Sequence, residues 1–255
     1  MSELAATILT GAFGLAVGSF LNVCIYRLPL EQSLMRPGSR CTGCGTSLRW
    51  YENVPVLSYL VLRGRCHSCH APISAMYPIV EGATAIVFVA GYLLFGRAPV
   101  LMPRLIFACA MIVLFVIDLQ HRILPNVITL SGIVIGFAFS LFLPPGWGDS
   151  LIGIVAGGGV LLLLAEVYYR VRKEEGLGMG DVKMLAMIGA FLGWKLMLVT
   201  LVLSSFVGSI IGLGMIALKI GNMKYALPFG TFLAAGALVA AVAGDTILGW
   251  YLSFY

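Results

Sequence analysis

The chain has 255 residues, of which 60% are hydrophobic and 11% charged, and its mean hydropathy is +1.00. Soluble domains are roughly one-quarter charged, so a soluble fold is excluded and most of this chain belongs in lipid. The net charge of +5 does not indicate nucleic acid, because six of the sixteen basic residues fall in one loop between apolar runs, where membrane topology accounts for them.

Apolar runs of roughly 17–25 residues cross a bilayer as helices, which satisfy their own backbone hydrogen bonds. In chain order they predict spans over residues 4–26, 78–95, 100–117, 127–143, 151–168, 196–218 and 227–252, with a shorter apolar piece at 182–194. The expected fold is all-α, a polytopic membrane bundle of about eight transmembrane helices. Span one follows Glu3 and no basic residue, so it is expected to stay in the mature protein rather than be cleaved as a signal peptide. Gly14/Gly18, Gly153/Gly157 and Gly208/Gly212 have the small-xxx-small spacing that lets membrane helices pack closely.

The first loop carries Arg27, Arg36, Arg40, Arg49, Arg63 and Arg65, which mark it as cytoplasmic. If all eight pieces cross, basic residues divide 13 inside to 3 outside; if 182–194 dips in and returns, 12 to 4. Charge leaves that piece open.

The same loop holds Cys41-Thr-Gly-Cys44 and Cys66-His-Ser-Cys69, two C-x-x-C knuckles separated by 21 residues, a spacing close to that of zinc ribbons. A reducing compartment argues against disulfides. Haem attachment through Cys66-x-x-Cys69-His70 would leave the first pair idle, and redox chemistry is a further alternative. Zinc is favoured, bound by Cys41, Cys44, Cys66 and Cys69, with His67 or His70 as substitute donors. Four thiolates leave no open coordination position, so such a zinc is structural. Cys24 and Cys109 read as buried apolar residues within spans.

Acids in or beside spans are costly and therefore functional candidates. Glu81 lies near the inner end of span two, Asp118 closes span three, Glu166 lies near the inner end of span five and Asp181 opens the short piece. Asp149 and Asp245 fall on the outer side and read as solvated or snorkelling. Asp118 and Asp181 are 63 residues apart, and the chain between them crosses outward and back, so both reach one face. Asp181 ends Gly176-Leu-Gly178-Met-Gly180-Asp181, whose glycines permit positive φ and close approach of another chain. Spacing alone also fits a flexible loop with a solvated Asp beside Lys183; a dinucleotide fingerprint fails because no strand precedes the run. Two carboxylates sharing a site hold one proton between them and activate water, the apparatus of an aspartic peptidase. The three histidines, His67, His70 and His121, have no nucleophilic partner that the sequence places, and His121 with Arg122 suits lipid phosphate.

These residues resemble the bacterial type IV prepilin peptidases, of the GxGD class of intramembrane aspartic peptidases. The matching blocks are Gly18-Ser-Phe-Leu-Asn-Val-Cys-Ile-Tyr-Arg-Leu-Pro29, both knuckles, Asn53-Val-Pro-Val-Leu-Ser-Tyr-Leu60 and Leu62-Arg-Gly-Arg65. They continue through Ile73-Ser, Tyr77-Pro-Ile-Val-Glu81, Ile117-Asp118, Leu124-Pro-Asn126, Gly178-Met-Gly-Asp-Val-Lys-Met-Leu-Ala186 and Gly189-Ala-Phe-Leu-Gly-Trp194. The last two spans match only in kind.

The resemblance implies that Asp118 and Asp181 are the catalytic pair, with Gly178, Gly180 and Lys183 supporting the loop. It implies cleavage of type IV prepilins or type II secretion pseudopilins after the glycine that ends a basic leader, at the cytoplasmic face of the inner membrane. It further implies N-methylation of the new amino terminus with S-adenosylmethionine, by residues the sequence does not assign. Glu81 is the acid expected to meet the leader; Glu166 fits helix packing or pairing with Arg170 equally well. On this reading residues 1–28 are the first span, 29–75 the zinc-binding loop and 76–255 the peptidase core, whose partners are the pilin substrates and the bilayer. A peptidase without methyltransferase activity is one rival. Another is a metal transporter or sensor, which predicts ligands at mid-span, whereas the acids cluster near span ends.

Overall fold

A computed structural model describes residues 2–36, 38–173, 178–218 and 227–254, save the Arg172 side chain. The chain forms two compact units, residues 1–101 and 102–255, and among the described residues the regular elements are helices, with no strand beyond two isolated bridges. Six helices are long and apolar enough to cross a membrane, and the protein is a multi-pass membrane protein.

In the first unit, α1 (Glu3–Arg27) starts where the Ser2 hydroxyl accepts the Ala5 N–H, with Glu3 in its first turn and Arg27 in its last, each matching the helix dipole. It packs along α3 (Met76–Phe95) through glycine: a Cβ on Gly14 would lie 2.8 Å from Ala85 Cα, and one on Gly18 2.7 Å from Glu81 Cα. Asn22 Nδ2 donates to Tyr77 O at 3.0 Å, fixing the register. The loop between them contains the cysteines and the five-residue helix α2 (Leu57–Val61).

The second unit comprises α4 (Leu101–His121), α5 (Asn126–Ser140), α6 (Trp147–Arg172), α7 (Met179–Ala217) and α8 (Phe229–Leu252). Helix α7 forms its centre, with Met184, Leu185, Met187, Ile188 and Met197 fully enclosed. A straight helix of its 39 residues would be about 58 Å long, nearly twice the hydrocarbon thickness. It is not straight: Gly193, at φ 77° and ψ 171°, breaks it.

Close residue pairs give the directions of its two arms. Lys183 meets Asn126, Met187 lies at Gly132 and Phe191 at Gly136, so α5 runs parallel to the first arm, whereas Leu185 at Gly157 and Gly189 at Gly153 make α6 antiparallel to it. Along the second arm, Leu196 lies at Gly244, Ser204 at Gly236, Gly208 at Phe232 and Gly212 at Leu227, so α8 is antiparallel. Helix α4 is antiparallel to α8 as well, with Arg104 Nη1 donating to Ala241 O at 3.2 Å and Asp118 meeting Thr231. The chain therefore runs from Asp181 to Gly193 and returns along the second arm. The piece 182–194, which charge left open, traverses the same depth as α4 does between Phe107 and Asp118; the Phe107 and Phe191 rings lie 5.2 Å apart at its far end. With α5 and both arms of α7, six helical segments build the described part of the second unit, and α1 and α3 pair in the first.

The helix ends differ modestly from expectation. α4 continues through Asp118 to His121, and α6 begins at Trp147, which puts Asp149 in its first turn rather than in a loop. Glu166 pairs with Arg170 at 2.7 Å on an exposed face.

Candidate active site and cysteine cluster

Asp118 is buried, 5% exposed, near the C-terminal end of α4. Its Oδ2 accepts two hydrogen bonds from one residue, the Thr231 N–H at 2.6 Å and the Thr231 hydroxyl at 3.0 Å. Thr231 is the third residue of α8, where a helix has amide donors without intrahelical acceptors, and the helix's own N-cap residue, Pro228, supplies no side-chain acceptor. The carboxylate of α4 therefore caps α8. Among the described residues nothing else donates to the Asp118 side chain, which leaves Oδ1 as the open side of the carboxylate.

Two glycines make room for this arrangement. A Cβ on Gly230 would sit 3.0 Å from both Asp118 Oδ2 and Leu124 Cδ1, and one on Gly180 3.0 Å from Leu124 Cβ. Leu124 thus lies against both the first turn of α8 and the first turn of α7. Asp181 is the third residue of α7; its N–H donates to Gly178 O at 3.1 Å and its side chain is partly buried. Asp118 and Asp181 thus stand at the same end of the unit, joined through Leu124, and the Arg122 N–H donates to the Asp118 backbone carbonyl at 2.8 Å. Lys183 Nζ donates to Asn126 Oδ1 at 2.9 Å, tying α7 to the start of α5. Gly178 is the N-cap of α7; Gly176 and Leu177 lie outside the described residues.

Thr231 and Gly230 had no place in the sequence-based site. Their one signal is local: Pro228-Phe-Gly-Thr opens an apolar helix with unfilled amides and small residues, but it does not name the acceptor.

In the first unit the sulfurs of Cys41, Cys44, Cys66 and Cys69 all lie within 4.8 Å of one another. The Cys41 and Cys69 sulfurs are 3.8 Å apart, the edge of a tetrahedron whose metal–sulfur bonds are about 2.3 Å, so the set fits zinc. The two knuckles repeat one backbone pattern. Cys41 N–H donates to Thr46 O and Gly45 N–H to Cys41 O; likewise Cys66 N–H donates to Ala71 O and His70 N–H to Cys66 O. The bridges Arg40–Ser47 and Arg65–Pro72 close the two turns. Gly45 and His70 occupy the same positive-φ position, at 73° and 57°, which gives His70 a backbone role, and the metal-ligand cluster consists of the four cysteines. The Thr46 hydroxyl, 3.2 Å from Cys44 Sγ, pulls that thiol down to about 6, toward the thiolate form that binds metal.

Glu81 is buried in α3, where its Oε2 accepts the Val56 N–H at 2.7 Å and its backbone lies against Gly18 of α1. Its partners are thus α1 and the cysteine loop of its own chain. Val56 has φ 60° and ψ −48°, with the Leu57 N–H donating to Pro55 O across it, a γ-turn backbone whose strain costs roughly 1–3 kcal/mol; the bond to Glu81 holds it there.

Residues 12–95 match the model of the bacterial peptidase A24 N-terminal domain, and residues 105–213 that of the type IV leader peptidase family. A prepilin leader peptidase/N-methyltransferase of Aeromonas hydrophila is 37% identical over 268 residues, covering 94% of this chain and 92% of that protein. A protein of the same name from Pseudomonas aeruginosa is 36% identical, covering 98% and 95%. Another from Myxococcus xanthus is 43% identical over 80% of this chain, which spans 61% of that longer protein. No solved structure matches the chain significantly.

Proposed function

The chain belongs to the type IV leader peptidase family, and we propose that Asp118 and Asp181 are the catalytic pair with which it cleaves the leader from prepilins or pseudopilins. The observation that carries this reading is that two carboxylates from different helices come to one end of the second unit, where Leu124 lies against both Gly230, beside Asp118, and Gly180, the neighbour of Asp181. One Asp, ionised, takes a proton from a water between them; the resulting hydroxide attacks the scissile carbonyl while the protonated partner donates a hydrogen bond to its oxygen. Collapse of the tetrahedral intermediate breaks the C–N bond, and the proton held by the base passes to the leaving amine. The two bonds from Thr231 orient Asp118, and Gly180 lets Leu124 pack against the first turn of α7 beside Asp181.

The substrate explains the location. A prepilin has a basic leader in water and an apolar helix in lipid, so the hydrolytic pair works at the boundary, at the cytoplasmic face of the inner membrane, the side that the basic loop marks. Zinc held by Cys41, Cys44, Cys66 and Cys69 folds a loop with little apolar core of its own. The second activity is N-methylation of the new amino terminus, for which S-adenosylmethionine supplies the methyl group. Incubating the purified protein in detergent with a prepilin and labelled S-adenosylmethionine tests both activities. Leader release with label on the mature amino terminus is expected; leader release without label would reduce the protein to a peptidase.

A further inference from the structure

Helix α2 has inverted polarity. Leu57, Leu60 and Val61, at i, i+3 and i+4 on one face, are 61, 63 and 81% exposed, while on its other side the Ser58 hydroxyl donates to Val54 O and Tyr59 lies against Gly64. Just before it, Trp50 is 82% exposed and packs edge-on against Tyr51. In water such a loop would turn these side chains inward.

The level at which α2 is held supplies the reason. Its preceding residue, Val56, is hydrogen-bonded to Glu81, the sixth residue of α3 and therefore about 7.5 Å along that helix from its start. Across from Glu81 stands Gly18, after which α1 continues for nine residues to Arg27, about 13 Å further. Helix α2 thus begins alongside the α1–α3 pair, below the ends of both helices. Both helices are candidate spans, so this is the depth of the bilayer interface, where amphipathic helices bury an apolar face and Trp and Tyr settle at the headgroups. Arg49, whose Nη1 donates to the Tyr51 hydroxyl at 2.6 Å, and the exposed Arg63 and Arg65 flank the patch and suit phospholipid phosphate.

We propose that residues 50–61 form an interfacial membrane anchor, with Leu57, Leu60 and Val61 among acyl chains and Trp50 and Tyr51 at the headgroups, and that Glu81 fixes this anchor to the spans. The loop that carries the cysteines is then tethered to the lipid surface at a point between its two knuckles. The inference rests on α1 and α3 being spans and not on the peptidase reading.

The test uses the full chain with Trp147, Trp194 and Trp250 changed to Phe, reconstituted in phosphatidylethanolamine–phosphatidylglycerol vesicles without any prepilin. Trp50 emission is expected to be quenched more by lipids brominated near the headgroup than by lipids brominated near the chain terminus, and to be shielded from acrylamide. If the triple replacement fails to fold, Leu60→Trp in the otherwise native chain reports the same contrast as a difference from wild type. Full quenching by acrylamide with none by either brominated lipid would overturn the anchor. Shielding that appears only when a prepilin is added would also overturn it, in favour of a protein-binding face. Because the brominated-lipid contrast is read before any prepilin is added, failure of the anchor and failure of the peptidase assignment are separately visible.

Discussion

Asp118 and Thr231 are 113 residues apart in sequence, yet the carboxylate of one takes both the backbone N–H and the hydroxyl of the other on a single oxygen. Helix α8, which contributes no acid near this end, thereby determines which way Asp118 points. Thr231→Val removes the hydroxyl bond and keeps the shape. A hydrogen bond to a charged group contributes about 1.5–3 kcal/mol, so kcat for prepilin cleavage is expected to fall roughly tenfold or more, with KM little changed; Thr231→Ser should restore most of it.

Gly230 makes a second test of the same contact. A Cβ there would press on Asp118 Oδ2 and Leu124 at 3.0 Å, so Gly230→Ala is expected to lower kcat, and Gly230→Val to lower it further. Thermal unfolding monitored in detergent should separate this from loss of the fold: a lower kcat at a little-changed unfolding temperature is expected.

The reversal in α7 depends on a conformation that only glycine adopts readily. At Gly193, a Cβ would also meet Pro145 Cβ at 2.9 Å. Gly193→Ala is expected to destabilise the second unit by about 1–3 kcal/mol, measured as a lower unfolding temperature. An unchanged temperature would mean that the two arms of α7 are joined otherwise.

Changing Cys41 and Cys44 to Ser breaks the tetrahedral set. Zinc, measured by atomic emission after purification, should fall from about one equivalent per chain to none, with protease sensitivity rising within the loop. A disulfide in place of zinc in the wild type would contradict both the metal site and the reducing compartment.

The candidate residues stood out in the sequence because such residues are scarce: in a chain with so few charges, an acid at a span end or a cysteine pair in a loop is conspicuous against the apolar background. The knuckle spacing likewise carried the geometry of the cluster. What was not legible was long-range or backbone in origin. Thr231 is one hydroxyl in an apolar helix, and nothing local marks it as the partner of an acid 113 residues earlier. Gly193 is one of 31 glycines, and only its φ angle distinguishes the point of reversal from the many that serve close packing. Glu81 was visible as a buried acid, but its bond to Val56 depends on the fold of the loop, which no periodicity in residues 29–75 encodes.

The central claim is that Asp118 and Asp181 together activate the water. The most direct measurement is single-turnover cleavage of a purified prepilin by Asp118→Asn and by Asp181→Asn, with unfolding temperature and zinc content checked against wild type. Each isosteric change should lower the rate by about 10³-fold or more while leaving both checks unchanged, and the double variant should be no worse than either single. Cleavage near the wild-type rate by either variant would contradict the pair.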